Sequence, residues 1–554
     1  MLLSATFRQL VTLTVLAASS VPVLVVAQAM GPVGNLRVSN IRAAPDGFDR
    51  PVIGVNGQFP APLIAAQKGD DFRINLVNDL VDTTMLRQTS VHWHGVFQHG
   101  TPWMDGPEGV TQCPLPQKGQ TFGYHFTAGQ EAGTYWYHSH YKTQYCDGLR
   151  GPIVIYDNDD PHKALYDEDD ENTVLTLADW YHLQAPSIRG AALSDATLIN
   201  GKGRDPLRPD VGEIHTVNVE ATKRYRIRLV SMSCDPDYTF SIDNHNMTII
   251  EADGQATVPH TVQELRIFAG QRYSIVVEAN GAVGSAHWIR AIPNIGRGQL
   301  PRISGGGVNS AILRYADPAN PNDTKLPNTT ATREPIKLFE KDLHALLNAE
   351  APGGSAKADE VIPIKMSFTG GLWRIDGQSW PHQEEPLMVK LMNNVPPKDL
   401  GLPEQLMKVL PRGKVVEIRV EALSTGGPHP FHLHGHAFSV IKSANEPASS
   451  ENYVNPVRRD VVSTGLTAEG ADGVTIIRFT TDNPGPWFFH CHIEFHLDGG
   501  LGMVFLEAPE EIAAMNPPTE WNKLCEEFKK LTPEETTVSI VARGLPTAAA
   551  RALV

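Results

Sequence analysis

The sequence predicts an all-β protein, and two observations carry that prediction. Gly (47 residues) and Pro (42 residues) are spread along the whole 554-residue chain without a collagen-like period, which is typical of many short strands joined by turns. The segments 72–77, 225–230 and 416–420 alternate polar and apolar residues with a period of two, as the half-buried strands of a β-sandwich do. The composition is otherwise that of a globular protein, with 41% hydrophobic and 20% charged residues.

The charge of the chain limits the class of partner. The sequence has 47 Lys and Arg against 62 Asp and Glu, which leaves a net charge of −15. A strongly acidic chain is repelled by phosphate backbones, so nucleic acid is excluded as the main partner.

The N-terminal segment 1–29 is predicted to be a secretory signal peptide. Arg8 is its only basic residue, an apolar stretch covers residues 10–27, and small residues at the end of that stretch offer cleavage sites. An uncleaved membrane anchor is the alternative, but Ser19 and Pro22 interrupt the apolar run. No later run is long enough to span a bilayer, so we expect a secreted, extracellular protein without a membrane anchor.

The mature length predicts three domains. Turn-rich segments at 157–161 and 317–332 indicate the two boundaries. The predicted domains cover residues 30–158, 159–328 and 329–554. The last of them includes a turn-rich C-terminal tail from about Ala508, to which we assign no role.

The five cysteines agree with secretion. Four of them can form two disulfides in an oxidising compartment, with three possible connectivities; these are Cys113, Cys146, Cys234 and Cys525. Cys491 stands apart between two histidines, and an unpaired cysteine in a secreted protein is typically reactive or a metal ligand. Three N-glycosylation acceptor tripeptides begin at Asn246, Asn322 and Asn328.

The histidines carry most of the functional information. From 21 histidines, composition predicts about 0.8 His-x-His pairs by chance. The chain instead contains the pairs His92/His94, His138/His140, His432/His434, His434/His436 and His490/His492. Residues i and i+2 of a strand point to the same face, so each pair presents two imidazoles together. Imidazole suits Cu, Zn, Fe and Ni, so we expect a metal site.

The pairs fall into two clusters, at 92–140 and 429–496. We therefore expect one site between the first and last thirds of the chain. The middle third would act mainly as a spacer and as a wall of any pocket.

The triplet 490–492 predicts a second metal site. Strand alternation sends its two histidines to one face and Cys491 to the other, where His429 and His496 have suitable spacing to join it. A His₂Cys set with a weak or absent axial ligand is typical of a blue-copper electron-transfer site. The axial position holds Leu501, which cannot coordinate, so we expect a higher potential than at a Met-ligated site.

Four segments together are highly specific. They are 92–114, which contains His-Trp-His-Gly and Gln-Cys-Pro; 133–149, which contains Trp-Tyr-His-Ser-His; 429–436, His-Pro-Phe-His-Leu-His-Gly-His; and 485–496, which contains His-Cys-His-Ile-Glu-Phe-His. With these segments the chain resembles the multicopper oxidase family, and more closely a secreted fungal laccase, over essentially the whole mature sequence. The resemblance implies three cupredoxin-like domains, each a Greek-key β-sandwich or barrel.

The resemblance also implies four copper ions and their ligands. Type 1 copper would be held by His429, Cys491 and His496, and type 2 copper by His92 and His432. One type 3 copper would be held by His94, His138 and His492, and the other by His140, His434 and His490. The implied disulfides are Cys146–Cys234 and Cys113–Cys525.

The activity that the resemblance implies is that of a monomeric laccase, a benzenediol:oxygen oxidoreductase of the kind associated with lignin degradation. Phenolic small molecules would give up electrons at the type 1 copper, beside His496. The electrons would pass through Cys491 to the trinuclear copper cluster, where O₂ is reduced to water. Because substrate and oxygen use separate sites, they never need to meet.

Two carboxylates are assigned catalytic roles. Asp235 resembles the substrate-pocket acid of the family and would accept the phenolic proton; a loop acid that caps a turn is the alternative. Asp105 would hydrogen-bond near the type 2 copper and relay protons to oxygen, although Asp-Gly is also an ordinary turn signal. Glu494 is interpreted either as a similar relay or as a solvated strand acid. The remaining notable histidines are interpreted as structural or surface residues; they are His99, His125, His245 and His436.

Two other functions stay open at this point. A ferroxidase of the same superfamily would require acidic residues grouped beside the type 1 histidines for the oxidation of Fe(II). A copper carrier or storage protein needs only one copper site, so the complete trinuclear ligand set counts against it.

Overall fold

The computed structural model describes residues 29–117, 119–296, 306–424, 427–444, 450–466 and 473–541. The predicted signal peptide lies outside these residues except for Ala29. Within the described part of the chain, no helix has both the length and the apolar character needed to cross a membrane. The strands form six sheets, which confirms the all-β prediction of three cupredoxin-like domains.

The first domain has two four-stranded sheets, ordered β2-β1-β4-β6 and β3-β8-β7-β5. Its strands are β1 Val33–Ala43, β2 Arg50–Val55, β3 Ile64–Gln67, β4 Asp71–Asn78, β5 Val91–His94, β6 Gln120–Thr127, β7 Gly133–Ser139 and β8 Arg150–Tyr156. The predicted alternation over 72–77 is confirmed in β4, where Phe72, Ile74 and Leu76 are buried and the residues between them face outward. In contrast, β5 and β7 are buried on both faces.

The second domain pairs a six-stranded sheet, β10-β9-β12-β17-β14-β15, with a five-stranded sheet, β11-β19-β18-β13-β16. Its strands are β9 Val174–Trp180, β10 Ala196–Ile199, β11 Thr216–Val219, β12 Arg224–Ser231, β13 Tyr238–Ile242, β14 Met247–Ala252, β15 Gln255–Val262, β16 Leu265–Ile267, β17 Arg272–Glu278, β18 Ala286–Pro293 and β19 Ser310–Tyr315.

The strand predicted over 225–230 is β12, but the expectation that it is half-buried is wrong. Both of its faces are covered. Arg226 pairs with Asp160 and Arg228 pairs with Asp169, at 2.6 and 2.7 Å. Because these carboxylates neutralise the guanidinium groups, the polar face of the strand is buried as well.

The third domain again pairs six strands, β21-β20-β23-β28-β25-β26, with five, β22-β30-β29-β24-β27. Its strands are β20 Glu360–Thr369, β21 Leu372–Ile375, β22 Met407–Leu410, β23 Val415–Glu421, β24 Pro430–Leu433, β25 Phe438–Lys442, β26 Arg458–Arg459, β27 Val461–Ser463, β28 Val474–Thr480, β29 Gly485–Cys491 and β30 Gly502–Glu507. The helices of this part of the chain are α1 Leu387–Met392, α2 Glu494–Asp498, α3 Pro509–Ile512, α4 Thr519–Phe528 and α5 Pro533–Thr536.

The C-terminal tail contains a helix, α4, as well as turns. This helix packs against the first domain. Trp521, Leu524 and Cys525 are buried in the core that contains the strands of the first domain. The indole Nε1 of Trp521 donates to the carbonyl of Thr111 at 3.2 Å. The part of the tail that forms α4 is therefore packed and covalently fixed, since Cys525 is bonded to Cys113.

The two disulfides are the pairs that the resemblance implied, Cys113–Cys525 and Cys146–Cys234. The second bond joins the first and second domains. Cys491 is the free cysteine, and it is buried.

Candidate metal centre

Four strands bring the histidine pairs together between the first and third domains. In the first domain β5 pairs with β7 so that His92 lies opposite His138. In the third domain β24 pairs with β29 so that His432 lies opposite His490. All eight histidines of the predicted trinuclear set are buried, and several of the ring contacts among them cross the boundary between the two domains.

The ring nitrogens meet in three close pairs. His92 Nε2 lies 3.4 Å from His432 Nε2, His94 Nδ1 lies 3.1 Å from His492 Nε2, and His434 Nε2 lies 3.1 Å from His490 Nε2. Each pair coincides with the ligands that the resemblance assigned to one copper. The expectation of one site between the first and last thirds of the chain agrees with this arrangement.

Hydrogen bonds on the outer side fix which ring nitrogen faces the centre. Five rings donate Nδ1–H to a carbonyl or carboxylate oxygen; they are His92 and His434 to Asp105, His138 to Ser139, His432 to Asp460 and His490 to Cys491. An imidazole that donates from Nδ1 keeps an unprotonated Nε2 for a metal. His94 is reversed, because its Nε2 lies 3.2 Å from Asp460 Oδ1 and its Nδ1 points inward.

The protonation states also suit a metal site. Burial, together with the neighbouring imidazoles, lowers the pKa of His94, His138 and His140 well below its ordinary value, and burial lowers the pKa of His490 to about 3. The Nε2 atoms of His138 and His140 are buried and have no hydrogen-bond partner among the described residues. Neutral, inward-facing imidazoles without partners are the donors that copper prefers.

The second donor set lies on the opposite side of β29. Cys491 Sγ is 3.5 Å from His429 Nδ1 and 3.8 Å from His496 Nδ1, and the two histidine nitrogens are 3.1 Å apart. Burial raises the pKa of the Cys491 thiol, so a thiolate at this position needs a cation beside it. The predicted alternation along 490–492 is therefore what the structure has, with two donor sets back to back.

Leu501 lies against this second set. It is fully buried, its amide donates to the carbonyl of His496 at 3.0 Å, and its carbonyl accepts from the amide of Cys491 at 3.1 Å. Its backbone therefore lies next to the second donor set, and its side chain has no atom that can coordinate a metal; the axial place stays a prediction.

Asp105 serves both the turn and the site. Gly106 has φ 104°, and a Cβ there would lie 2.0 Å from the carbonyl oxygen of Val91, so only glycine fits this turn. The buried Asp105 carboxylate accepts from His434 Nδ1 at 2.8 Å, and its other oxygen lies 3.2 Å from His92 Nδ1. Asp105 thus orients two histidines that the resemblance assigns to different coppers, His434 through its carboxylate and His92 through its backbone carbonyl.

Asp235 lies beside the segment that carries His496. The carbonyl of its neighbour Cys234 accepts from the amide of Glu494 at 2.9 Å. Burial, with Asp179 and Asp237 nearby, raises the pKa of Asp235 to about 8. Its amide donates to Asp179 Oδ2 at 3.2 Å, but its carboxyl accepts no hydrogen bond from the described residues, so the alternative of a turn cap gains no support.

The interpretation of Glu494 as a solvated strand acid is wrong. The strand ends at Cys491, and Glu494 begins helix α2, where it is only 5% exposed. Burial raises the pKa of its carboxyl well above the ordinary value. It shares with His140 the wall of a cavity of about 190 Å³.

The other histidines have the structural or surface positions expected of them. His245 is buried and its Nε2 lies 2.6 Å from the hydroxyl of Tyr315, and the Nε2 of the buried His436 lies 3.0 Å from Glu507. His99 and His125 are exposed.

Sequence reasoning missed Asp460 and Arg272. Asp460 contacts His94 and His432, and Arg272, from the middle domain, is paired with it at 2.6 Å. The middle domain is therefore more than a spacer, which corrects the prediction. The one local signal was the charged pair Arg459-Asp460 immediately before the apolar Val461-Val462.

Three profiles of known families match the chain, each described as multicopper oxidase, at residues 37–160, 171–318 and 376–511. Among curated proteins, the chain is 47% identical to Laccase-1 of Trametes villosa over 91% of its own length and 96% of that protein's. It is also 47% identical to Laccase-2 of Pleurotus ostreatus, with 91% and 94% covered.

Two solved structures have a similar fold. The laccase from Botrytis aclada superposes with a TM-score of 0.75 at 31% identity, covering 92% of this chain and 94% of that one. Fet3p, a multicopper oxidase that functions in iron import, gives a TM-score of 0.74 at 26% identity, with 92% and 97% covered.

Proposed function

The chain belongs to the multicopper oxidase family, and from this premise we propose that it is a laccase that oxidises phenolic small molecules by one electron each and reduces O₂ to water. One observation supports the proposal: two donor sets of histidines, one of which includes Cys491, meet at the end of strand β29. Cys491 lies in one set, while its neighbours His490 and His492 lie in the other. A single strand thereby connects the site that receives electrons to the site where oxygen would be reduced.

Four copper ions would occupy these positions. The type 1 copper would be held by His429, Cys491 and His496; the type 2 copper by His92 and His432; and the two type 3 coppers by His94, His138 and His492 and by His140, His434 and His490. Bound copper supplies one-electron redox chemistry, and four such centres match the four electrons that O₂ needs.

The carboxylates of the chain would manage the protons. Asp235, at the edge that leads to His496, would accept the phenolic proton as the electron leaves, because its raised pKa makes it a stronger base than an ordinary carboxylate. Asp105 would hold His92 and His434 in place and pass protons toward oxygen.

The acidic residues around Asp235 favour phenols over Fe(II). Asp179 is paired with Arg150 at 3.1 Å and Asp237 with Arg266, so their charges are already matched. Asp235 alone lacks such a cation among its described contacts. A carboxylate already paired with an arginine is a poor ligand for Fe(II), so of these three aspartates only Asp235 could serve, and a single carboxylate suits a proton acceptor better than an iron site.

We further propose a monomer that works outside the cell. Two disulfides support an oxidising compartment. The side chains of the proposed N-glycosylation sites Asn246, Asn322 and Asn328 are exposed.

Oxygen consumption by the copper-loaded protein tests the proposal. We expect rapid turnover with a methoxyphenol, turnover with a non-phenolic dye, and a much lower kcat/KM with Fe(II). A clear preference for Fe(II) would favour the ferroxidase, and no oxygen consumption with any donor would leave only a copper carrier.

A further inference from the structure

We propose that Arg272, in the middle domain, is a positioning residue for the trinuclear site, because it holds Asp460 in the orientation that fixes His94 and His432. The inference rests on the proposed function for the copper assignment. It gives the middle domain a part in a site whose ligands all come from the other two.

The contact between Arg272 and Asp460 is bidentate. Arg272 Nη1 donates to Asp460 Oδ1 at 2.7 Å, and Nη2 donates to Oδ2 at 2.6 Å. Both side chains are almost completely buried. Two parallel charge-assisted hydrogen bonds fix the plane of the carboxylate as well as its position.

Asp460 contacts two histidines, one through its carboxylate and one through its backbone carbonyl. Its Oδ1 lies 3.2 Å from His94 Nε2, and its backbone carbonyl accepts from His432 Nδ1 at 3.0 Å. The inner nitrogens of these two rings face His492 and His92. Asp460 thus orients a ligand proposed for a type 3 copper and another proposed for the type 2 copper.

Arg272 is itself held by groups from all three domains. Its Nε donates to the carbonyl of Thr134 in the first domain at 3.0 Å, and its amide donates to Asp253 in the second domain at 2.7 Å. Asp253 also accepts from Arg459, the neighbour of Asp460, at 2.9 Å. The guanidinium therefore lies where the three domains meet.

Two glycines lie close against the Arg272–Asp460 pair and the histidine rings. A Cβ on Gly95 would lie 2.4 Å from Arg272 Nη2 and 2.8 Å from Asp460 Oδ2. On the other side, a Cβ on Gly270 would lie 2.9 Å from His492 Cδ2 and 3.1 Å from His94 Cε1. Two glycines thus let the backbone approach the ion pair and the rings, which is expected where close packing sets ligand geometry.

A contribution to folding stability does not by itself explain the buried ion pair of Arg272 and Asp460. A buried ion pair gains little over well-packed apolar side chains, since both charges lose their water. A role in holding ligand geometry explains why a fully buried arginine lies here, next to the proposed metal ligands.

The test is Arg272→Lys, which keeps the charge but cannot make the bidentate contact. Loss of an outer partner of a metal ligand typically weakens metal affinity by about 10–100-fold. We expect type 2 and type 3 copper to be lost at chelator concentrations that the wild type withstands. The measurements are copper content per chain, the electron paramagnetic resonance signal of type 2 copper, and the type 1 absorption, which should stay unchanged.

Arg478→Lys is the matched control. Arg478 is equally buried and pairs with Glu417 at 2.7 Å in the third domain, and its other hydrogen bonds go to backbone carbonyls. This variant should keep all its copper. If Arg272→Lys also keeps its type 2 and type 3 copper, or if both variants lose type 1 and type 2 copper together, the inference is overturned.

A double variant covers the case in which Arg272→Lys does not fold. Arg272→Gln combined with Asp460→Asn removes both buried charges at once, and it should show the same selective loss. A full copper complement in the double variant would also overturn the inference. The proposed function is tested separately, because it fails if the wild type itself does not bind four coppers.

Discussion

Replacing Asp235 with asparagine should slow phenol oxidation and stabilise the protein at the same time. The carboxyl has a pKa of about 8, against an ordinary value of 3.8, because it is largely removed from water, although not fully buried, and lies near two other aspartates. Its folded pKa lies above its unfolded pKa, so ionisation costs folding free energy as the pH rises from about 4 to 8. Asparagine cannot ionise, so the variant avoids that cost.

The size of both effects follows from this environment. A pKa displaced from 3.8 to about 8 corresponds to at most about 6 kcal/mol. Solvent at a part-exposed carboxyl screens the charge, so we expect about 1–2 kcal/mol at pH 8 and no gain at pH 4. For phenols, loss of a general base should lower kcat/KM by on the order of 10²-fold, the low end of the usual range, because solvent replaces part of its work.

Two assays separate the base from a structural residue. Thermal unfolding of the copper-free protein should show a Tm higher by about 1–3 °C at pH 8. Steady-state kinetics should show a loss with phenols, a flatter acid limb, and no loss with a ferrocyanide-type donor that has no proton to give. The wild-type acid limb should lie at or below pH 8, since a copper ion nearby adds positive charge and lowers the pKa.

Asp237→Asn is the neighbouring control. Asp237 is paired with Arg266, so this change should lower the Tm and leave the ratio of phenol to ferrocyanide activity unchanged. An Asp235→Asn protein that has a lower Tm and loses both activities equally would refute the assignment of Asp235 as a base. It would show instead that Asp235 supports the adjacent disulfide.

Three further predictions concern the second donor set and the tail. Cys491→Ser should abolish the blue thiolate–Cu(II) absorption and the oxidase activity while the eight-histidine site still binds copper; a variant that stays blue would exclude Cys491 as a ligand. Leu501→Met should lower the type 1 potential by adding a weak donor that favours Cu(II), as measured by redox titration, and an unchanged potential would mean that Leu501 is not axial. Cys525→Ser combined with Cys113→Ser should cost about 2–5 kcal/mol of stability; an unchanged Tm would show that packing of α4 alone fixes the tail.

Local spacing was enough to predict that most of the proposed copper ligands lie together in pairs. His92 and His94 are two residues apart on one strand, so their shared face follows from the geometry of a strand alone. The same is true of 490–492, where alternation separates Cys491 from its two neighbours. Such features need no knowledge of what the strand packs against.

Long-range partners were not predictable in this way. Arg272 and Asp460 are 188 residues apart, and no local pattern links them. The charged residues of β12 alternate like those of a surface strand. Their burial becomes clear only in the folded structure, where Asp160 and Asp169 pair with the two arginines of that strand. Burial of a charge depends on which partner the fold brings to it.

The helix α4 could have been predicted. Trp521, Leu524, Cys525 and Phe528 have the spacing of one helix face, and Pro518 precedes the first turn. Prolines flank the segment at 517, 518 and 533 and are typical of turns. The helical spacing of the apolar residues between them is the stronger signal.

The bond between Cys113 and Cys525 has a consequence for how the protein keeps its metal. The histidines come from two domains that must stay in contact, and any brief separation would expose the ions to chelators. The second domain already links the first and third domains, and the bond at α4 adds a second tether. Contact is therefore restored quickly after an opening, as an intramolecular event at an effective concentration of about millimolar or more. The polypeptide from Cys113 to Cys525 and the disulfide between them form a covalent ring that contains the second and third domains. This ring keeps each separation of the first and third domains short and reversible.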